Sequence, residues 1–211
     1  MFLPLFPLEI VVYPRQRMPL HIFEPRYRQL VADCRDDGIT FGIPAFIEGK
    51  LAEYGTELKL ERIIKTYGSG EMDILIEGVR VFQLQRYIPD VDGKLYSGGE
   101  VEIRPESEES DEQLEAALLS RLTRLYKAAH ARQPDASHAA QCLSYFVAPR
   151  LGLTLVQQVQ VLALSTEVER LAFLVAHLDR VLPVIEKTAA RARRIGGNGH
   201  PHLDKQNPDL N

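Results

Sequence analysis

The hydrophobic period of this chain changes once, near residue 106, and that change sets its fold class. Before it, apolar residues alternate with polar ones: Thr56, Leu58 and Leu60, then Met72, Ile74 and Ile76, then Val101 and Ile103. Alternation puts every second side chain on one face, the pattern of strands with a single buried side. Gly38, Gly55, Gly68, Gly70, Gly78, Gly93, Gly98 and Gly99 punctuate these runs and read as sheet turns, with Gly78 a tight turn between two of them. ITFGIPAFI at 39–47 is more continuously apolar, as for a strand buried on both sides, and Pro44 places it at a bend or an edge. One helix interrupts the strands. Glu24 precedes Pro25, a residue pre-set for the first helical position. Tyr27, Leu30, Val31 and Cys34 follow at helical spacing, and Gly38 is placed to end the helix.

After residue 110 the period is helical throughout. Leu114, Leu118, Leu122 and Leu125 form one stripe. Asp135 is placed to cap a second helix ending at or just before Pro149. Capping-box spacing, in which two side chains satisfy free N–H groups of a first turn, occurs at Ser110/Gln113, Thr154/Gln157 and Thr166/Glu169. The last of these opens a long helix with Val168, Leu171, Val175, Leu178, Leu182 and Ile185 on one side. Pro183 is expected to kink it, and Gly196 and Gly197 to stop it. The expected organisation is a β domain over 1–105, an acidic linker and helix start over 106–115, a helical domain over 116–195 and a mobile tail over 196–211. Residues 106–115 hold six acids and no base, which reads as a solvated linker running into a helix start.

Composition narrows the function. A chain of 211 residues, 45% hydrophobic, can bury a core without staples, and its net charge of −4 lacks the overall basic footprint of a nucleic-acid binder. Residues 1–105 carry 13 bases against 16 acids, which opposes phosphate contacts unless the bases cluster. No stretch is long and apolar enough for a membrane span. The N-terminus is apolar but broken by Pro4, Pro7 and Pro14, with no basic start, so it does not read as a signal peptide. The two cysteines, Cys34 and Cys142, sit in apolar helical patterns and read as reduced thiols of a cytoplasmic protein.

Motifs for chemistry are missing from the pattern. His21, His130, His138, His177, His200 and His202 pair with no Cys at zinc spacing, so neither a metal site nor a cofactor is expected. His200 and His202 could pick up a metal weakly in the tail. His177 reads as a partnered core histidine. Gly68-Ser69-Gly70 is a turn and not a nucleophile elbow. There is no phosphate-cradling G-x-x-x-x-G-K-[ST] loop; Gly49-Lys50 leads into Leu51. An enzyme would have to assemble distant groups, as a small hydrolase without a recognised motif.

The most specific residues lie at 3–27. Leu3-Pro4-Leu5-Phe6-Pro7-Leu8, Val12-Tyr13-Pro14 and Pro19-Leu20-His21-Ile22-Phe23-Glu24-Pro25-Arg26-Tyr27 are followed in order by Phe41-Gly42-Ile43, Tyr54-Gly55-Thr56-Glu57 and Ile76-Glu77-Gly78-Val79-Arg80-Val81-Phe82. These pieces resemble the N-terminal domain of Lon proteases, and more closely still the stand-alone bacterial proteins built on it. The resemblance implies an α+β fold: a PUA-like β pseudo-barrel with one helix, followed by an α-helical bundle domain. It also implies a non-catalytic role in recognising unfolded or exposed protein segments, as an adaptor or quality-control factor without an ATPase or protease of its own. PUA-like folds include RNA binders, so RNA binding is the alternative.

Two groups of candidate contact residues follow. In one reading the proline-broken entry strand exposes Tyr13, Met18, His21 and Phe23 as a peptide-binding groove. In the other, Phe23 and Tyr27 pack in the core while Glu24 and Arg26 tie the helix to the barrel. Lys187, Arg191, Arg193 and Arg194 at the end of the last helix either complement its dipole or meet an acidic partner or RNA.

Overall fold

The structure, a computed structural model, describes residues 1–107, 109–135 and 142–197. Its first part is a sheet of six strands: β1 (Phe2–Pro4), β2 (Arg17–Ile22), β3 (Phe41–Ile47), β4 (Lys50–Thr66), β5 (Met72–Ile88) and β6 (Gly98–Ile103). The strand order is β1-β6-β5-β4-β3, with β2 paired to the first half of β5. The chain leaving β1 forms parallel bridges from Leu5 to Gly42 and from Leu8 to Ala45, so the sheet closes on itself as a pseudo-barrel. Helix α1 (Pro25–Asp37) lies against it. Glu24 is its N-cap, Pro25 opens it, and Gly38 ends it in the left-handed conformation that glycine adopts without a Cβ penalty. Tyr27, Leu30, Val31 and Cys34 are its buried residues, packed into the same core as Phe41, Leu58, Ile74 and Ile76.

The expected alternation holds over 72–77 but breaks in β4, where Glu57 is buried between Thr56 and Leu58 beside a register shift and is paired with Arg80. Met72, Ile74 and Ile76 point inward while Asp73, Leu75 and Glu77 are half-exposed. Pro44 sits beside a register shift in β3, the strand at the end of the sheet path, where its missing N–H costs least. Tyr67–Glu71, containing Gly68 and Gly70, is the turn between the long strands β4 and β5.

Four glycines read as turns instead belong to strands. Gly55 lies in β4, Gly78 in β5, and Gly98 and Gly99 in β6. Each stands where another group comes too close for a side chain. A Cβ on Gly78 would lie 2.1 Å from the Tyr13 carbonyl oxygen, and one on Gly55 would lie 2.5 Å from the Phe82 ring. Gly78 thus lets the irregular 13–16 segment dock on the sheet, with Arg15 N donating to Gly78 O and Gly78 N to Gln16 O.

The second part comprises α2 (Glu112–Ala128), α3 (Leu143–Val147), a 3₁₀ turn (Ala148–Arg150), α4 (Leu155–Ala163) and α5 (Glu167–Gly197). Asp111, not Ser110, caps α2, because its carboxylate accepts from both Gln113 N and Leu114 N; Ser110 bonds Glu115 instead. The capping boxes at Thr154/Gln157 and Thr166/Glu169 both form. α5 runs unbroken through Pro183. Residues 136–141, where a second helix was expected to start, and 198–211, which hold His200 and His202, lie outside the described residues, as does His138.

Leu118, Leu122, Leu171, Leu174, Leu178 and Leu182 form the centre of the helical core, each buried leucine stabilising by roughly 1.5–3 kcal/mol relative to exposure. That core continues into the barrel: Val11, Tyr13, Ala45 and Val81 belong to the same cluster. Arg121 and Arg124 of α2 make two-pronged ion pairs to Asp179 and Glu186 of α5.

Candidate functional site

β2 is the least covered strand. It pairs with β5 alone, in the register Met18↔Ile76, Leu20↔Ile74 and Ile22↔Met72 on the inner face. Arg17↔Glu77, Pro19↔Leu75 and His21↔Asp73 lie on the outer face. Among the described residues no strand pairs with its second edge. Period-two alternation therefore turns Met18 and Leu20 half-buried against the core and leaves Arg17, Pro19 and His21 exposed.

At the end of β2 the chain must turn into α1, and this corner carries a linked cluster of aromatic and charged side chains. Phe23 is 57% exposed. Its ring stacks at 6.2 Å from His21, and Tyr67 meets His21 edge-on at 5.9 Å. Asp73 accepts two hydrogen bonds of 2.7 Å, one from Tyr67 Oη and one from His21 Nδ1. Those donors, Tyr67 first, hold the Asp73 carboxyl below the usual carboxylate range, and the same bond raises the Tyr67 phenol. With Nδ1–H committed to Asp73, His21 presents Nε2 toward Glu71 at 3.8 Å. Lys65 lies over the Tyr67 ring, 4.2 Å from its centre. Arg28 fastens the corner, donating through Nε and Nη2 to the Phe23 carbonyl and through Nη1 to the Ser69 carbonyl of the β4–β5 turn.

The sequence-derived candidates divide here. His21 and Phe23 come together on the surface. Met18 is their neighbour but faces inward. Tyr13 is 0% exposed and leaves the group altogether: helices cover it, its ring stacks on Tyr145 at 5.5 Å, and its hydroxyl donates to Gln158 O at 3.4 Å. The core reading of Phe23 also fails, since its ring projects from the corner; Tyr27, stacked 3.7 Å from Phe6, takes the core position. Glu24 and Arg26 pair with each other, and Arg28 makes the tie to the barrel. Tyr67 and Asp73 were not singled out from sequence, because their proximity to His21 spans 46 and 52 residues; an acid facing outward directly after a hairpin turn was the available hint.

A second polar centre sits between barrel and helices. Glu167 and Arg170 are buried, with Glu167 Oε2 3.0 Å from Arg170 Nη2. Ser144 donates to Glu167 from its N–H at 2.8 Å and its hydroxyl at 2.6 Å. Arg170 also donates to Leu164 O and lies 4.4 Å over the Tyr145 ring. Cys142 donates its thiol to Glu167 at 3.3 Å, and burial pushes that thiol up to about 11. Glu167, Arg170 and Ser144 are thus matched to one another within the protein, which is the arrangement of a structural lock. A cleft beside it is lined by Arg104, Glu106, Tyr145, Leu164 and Arg170.

Among the described residues no group of three or more His, Cys, Asp or Glu is placed to hold a metal, and no helix is long and apolar enough to cross a membrane. His177 is buried with Nε2 3.1 Å from Leu151 O, a partnered core histidine. The barrel's bases do not form a continuous face. Arg17 and Lys59 meet Glu77, Arg80 meets Glu57, Arg86 meets Glu100, and Lys94 meets Asp33. Lys187 and Arg191 are exposed on α5, while the side chains of Arg193 and Arg194 lie outside what the structure describes.

Comparison with known proteins agrees with this architecture. The family model for the substrate-binding domain of the ATP-dependent protease La (Lon) matches residues 2–180. Among solved structures, the chain is similar to the Lon N-terminal domain protein from Xanthomonas campestris, with 29% identity over 83% of this chain and 98% of that one, and a TM-score of 0.67. It shares its fold with the N-terminal domain of the Mycobacterium avium complex Lon protease, at 17% identity, over 85% of this chain and 98% of that one, with a TM-score of 0.62. A comparison with curated proteins gives no match.

Proposed function

The chain belongs to the Lon protease substrate-binding domain family, and from that premise we propose that it is a non-catalytic module that captures extended, partly apolar segments of other proteins. We place capture along the open edge of β2, ending on the His21–Phe23–Tyr67 corner. In this reading it acts in the cytoplasm, as an adaptor or quality-control factor. The observation that carries the reading is β2 itself: a strand with one neighbour, followed immediately by an aromatic side chain held out of the core. An extended segment can add to such an edge through its backbone, which is indifferent to sequence, while Phe23 and Tyr67 favour apolar side chains at one end. Rigid fastening of the corner by Arg28 keeps Phe23 presented without an ordering cost at the moment of binding.

The test is a titration of a fluorescently labelled, reduced and alkylated unfolded protein, read by anisotropy. Saturable binding is expected. Phe23→Ser should weaken it by about 5- to 30-fold, the range for an aromatic anchor worth about 1–2 kcal/mol, with the unfolding midpoint unchanged because the ring is mostly exposed. Absence of saturable binding, or equal affinity in Phe23→Ser and in Tyr67→Ser, overturns the reading.

A further inference from the structure

The outer face of α5 carries a second, unrelated surface. Residues 180, 184, 187 and 191 fall at successive steps of four, three and four, which at about 100° per residue keeps them on one line along the helix. They are Arg180, Val184, Lys187 and Arg191, and all four are exposed, Val184 by 65%. The line runs directly opposite the buried Leu171, Leu178 and Leu182. Between residues 180 and 191 it spans about 16 Å at roughly 1.5 Å per residue.

Among the described residues its charge is uncompensated. Arg180 donates from Nε to the Ala176 carbonyl one turn back, and Lys187 and Arg191 form no ion pair among the described residues. The positions three and four away on either side of these bases whose side chains are described hold Ala176, His177, Pro183, Val184, Lys187, Thr188, Ala190 and Arg191, with no acid among them. The acids in this stretch of the helix, Asp179 and Glu186, are turned to α2 and taken by Arg121 and Arg124, while Glu167 and Glu169 lie in the first turn, well before Arg180. Lys187 and Arg191 are a like-charged pair four apart, which by itself destabilises a helix. The helix dipole explains bases in a last turn, but Arg180 and Lys187 lie well before Gly197, the end of α5. A chain of net charge −4 therefore keeps an all-basic line on one helix face.

We infer that this line docks an acidic amphipathic helix of a partner protein. The central Val184, next to the exposed Pro183, gives an apolar contact that a second helix can pack on. Arg180, Lys187 and Arg191 flank it at the one- and two-turn intervals where a partner helix can present carboxylates. A phosphodiester backbone would gain nothing from the apolar Val184.

The test uses the full chain and a synthetic helical peptide with Glu at positions spaced by four and seven around one Leu, followed by anisotropy. Controls are a peptide of the same composition with the glutamates dispersed around the helix, single-stranded oligouridylate and vesicles containing phosphatidylserine. The register-matched peptide should bind saturably and at least tenfold more tightly than the dispersed one. Arg180→Glu/Lys187→Glu/Arg191→Glu should abolish that binding with an unchanged unfolding midpoint, and should gain binding to the corresponding Lys peptide. Equal affinity for the dispersed peptide, tighter binding of RNA or vesicles, no peptide binding, or peptide binding that survives the charge reversal each overturns the inference. Because Phe23 is not on this face, Phe23→Ser should leave the peptide affinity unchanged.

Discussion

Removing Glu167 should damage the protein more than its own hydrogen bonds would suggest, because it strands a buried charge. Arg170 is 1% exposed and Glu167 3%. The carboxylate lies 3.1 Å from Arg170 Nε and 3.0 Å from Nη2, and it accepts from Ser144 twice. Taking away one member of a buried pair typically costs about 3–5 kcal/mol, because the survivor stays desolvated and unpaired. Against a total stability of roughly 5–15 kcal/mol, that is a large share. For a chain of this length each kcal/mol moves the unfolding midpoint by about 2–4 °C, so Glu167→Ala should lower it by roughly 6–20 °C. Arg170→Met alone leaves a carboxylate that still has the two Ser144 donors, and should cost less. The double variant carries no buried charge. It still leaves neutral groups unpaired, the Ser144 N–H and hydroxyl and the Leu164 carbonyl, each costing about 1–3 kcal/mol where it stays buried. The double should therefore be less destabilised than the sum of the singles by about 1–3 kcal/mol. Urea unfolding followed by circular dichroism gives all four corners of the cycle. A Glu167→Ala cost below about 1 kcal/mol, or singles that simply add, would refute the reasoning that this pair is coupled and desolvated.

Three further outcomes follow from other parts of the molecule. Gly78→Ala should cost about 1–3 kcal/mol in urea unfolding, because its Cβ would sit 2.1 Å from a backbone oxygen that cannot move without displacing the 13–16 segment; a neutral variant would show that segment to be loosely held. Asp33 accepts from Lys94 Nζ at 2.7 Å and from Tyr96 Oη at 2.6 Å, bonds that lower its carboxyl. Its stabilising effect is thus complete above the unfolded value of about 3.9 and lost as pH falls through the lowered folded value, so the gap in unfolding midpoint between wild type and Asp33→Asn should be full at neutral pH and close in acid. Burial pushes the Cys34 thiol up to about 12 and the Cys142 thiol up to about 11, so both should react far more slowly with a thiol reagent in the native protein than after urea unfolding; rapid native labelling of Cys34 would contradict its placement in the core.

Much of this architecture is legible in short-range pattern. The limits and face of α1 follow from Pro25, Gly38 and four apolar residues between them, and the two capping boxes at Thr154 and Thr166 mark helix starts without reference to anything distant. Local spacing fails where a second segment decides. Gly78 and a turn glycine look alike in sequence; what separates them is Tyr13, which lies far along the chain and rests on the strand. Tyr13 itself reads as an exposed residue among prolines until Tyr145 and α4 are packed over it. The site shows the same division. His21 and Phe23 stand in a recognisable stretch, but the cluster they join depends on Tyr67 and Asp73, brought in by sheet register. Ser110 and Asp111 compete for one cap, and the acid reaches both free N–H groups.

The closure of the barrel also dictates an order of events during synthesis. β1 pairs with β6, Phe2 opposite Glu100, and the amino group of Met1 donates to the Val101 carbonyl. Ribosomes add roughly 5–20 residues per second, so the first strand waits on the order of 5–20 s before its partner exists. The hairpin of β4 and β5 pairs near neighbours and can form in that interval. Leu3, Leu5 and Phe6, all buried at the end, spend it uncovered. The apolar Leu3–Phe6 stretch is thus on display well before the strands that finally cover it have been made.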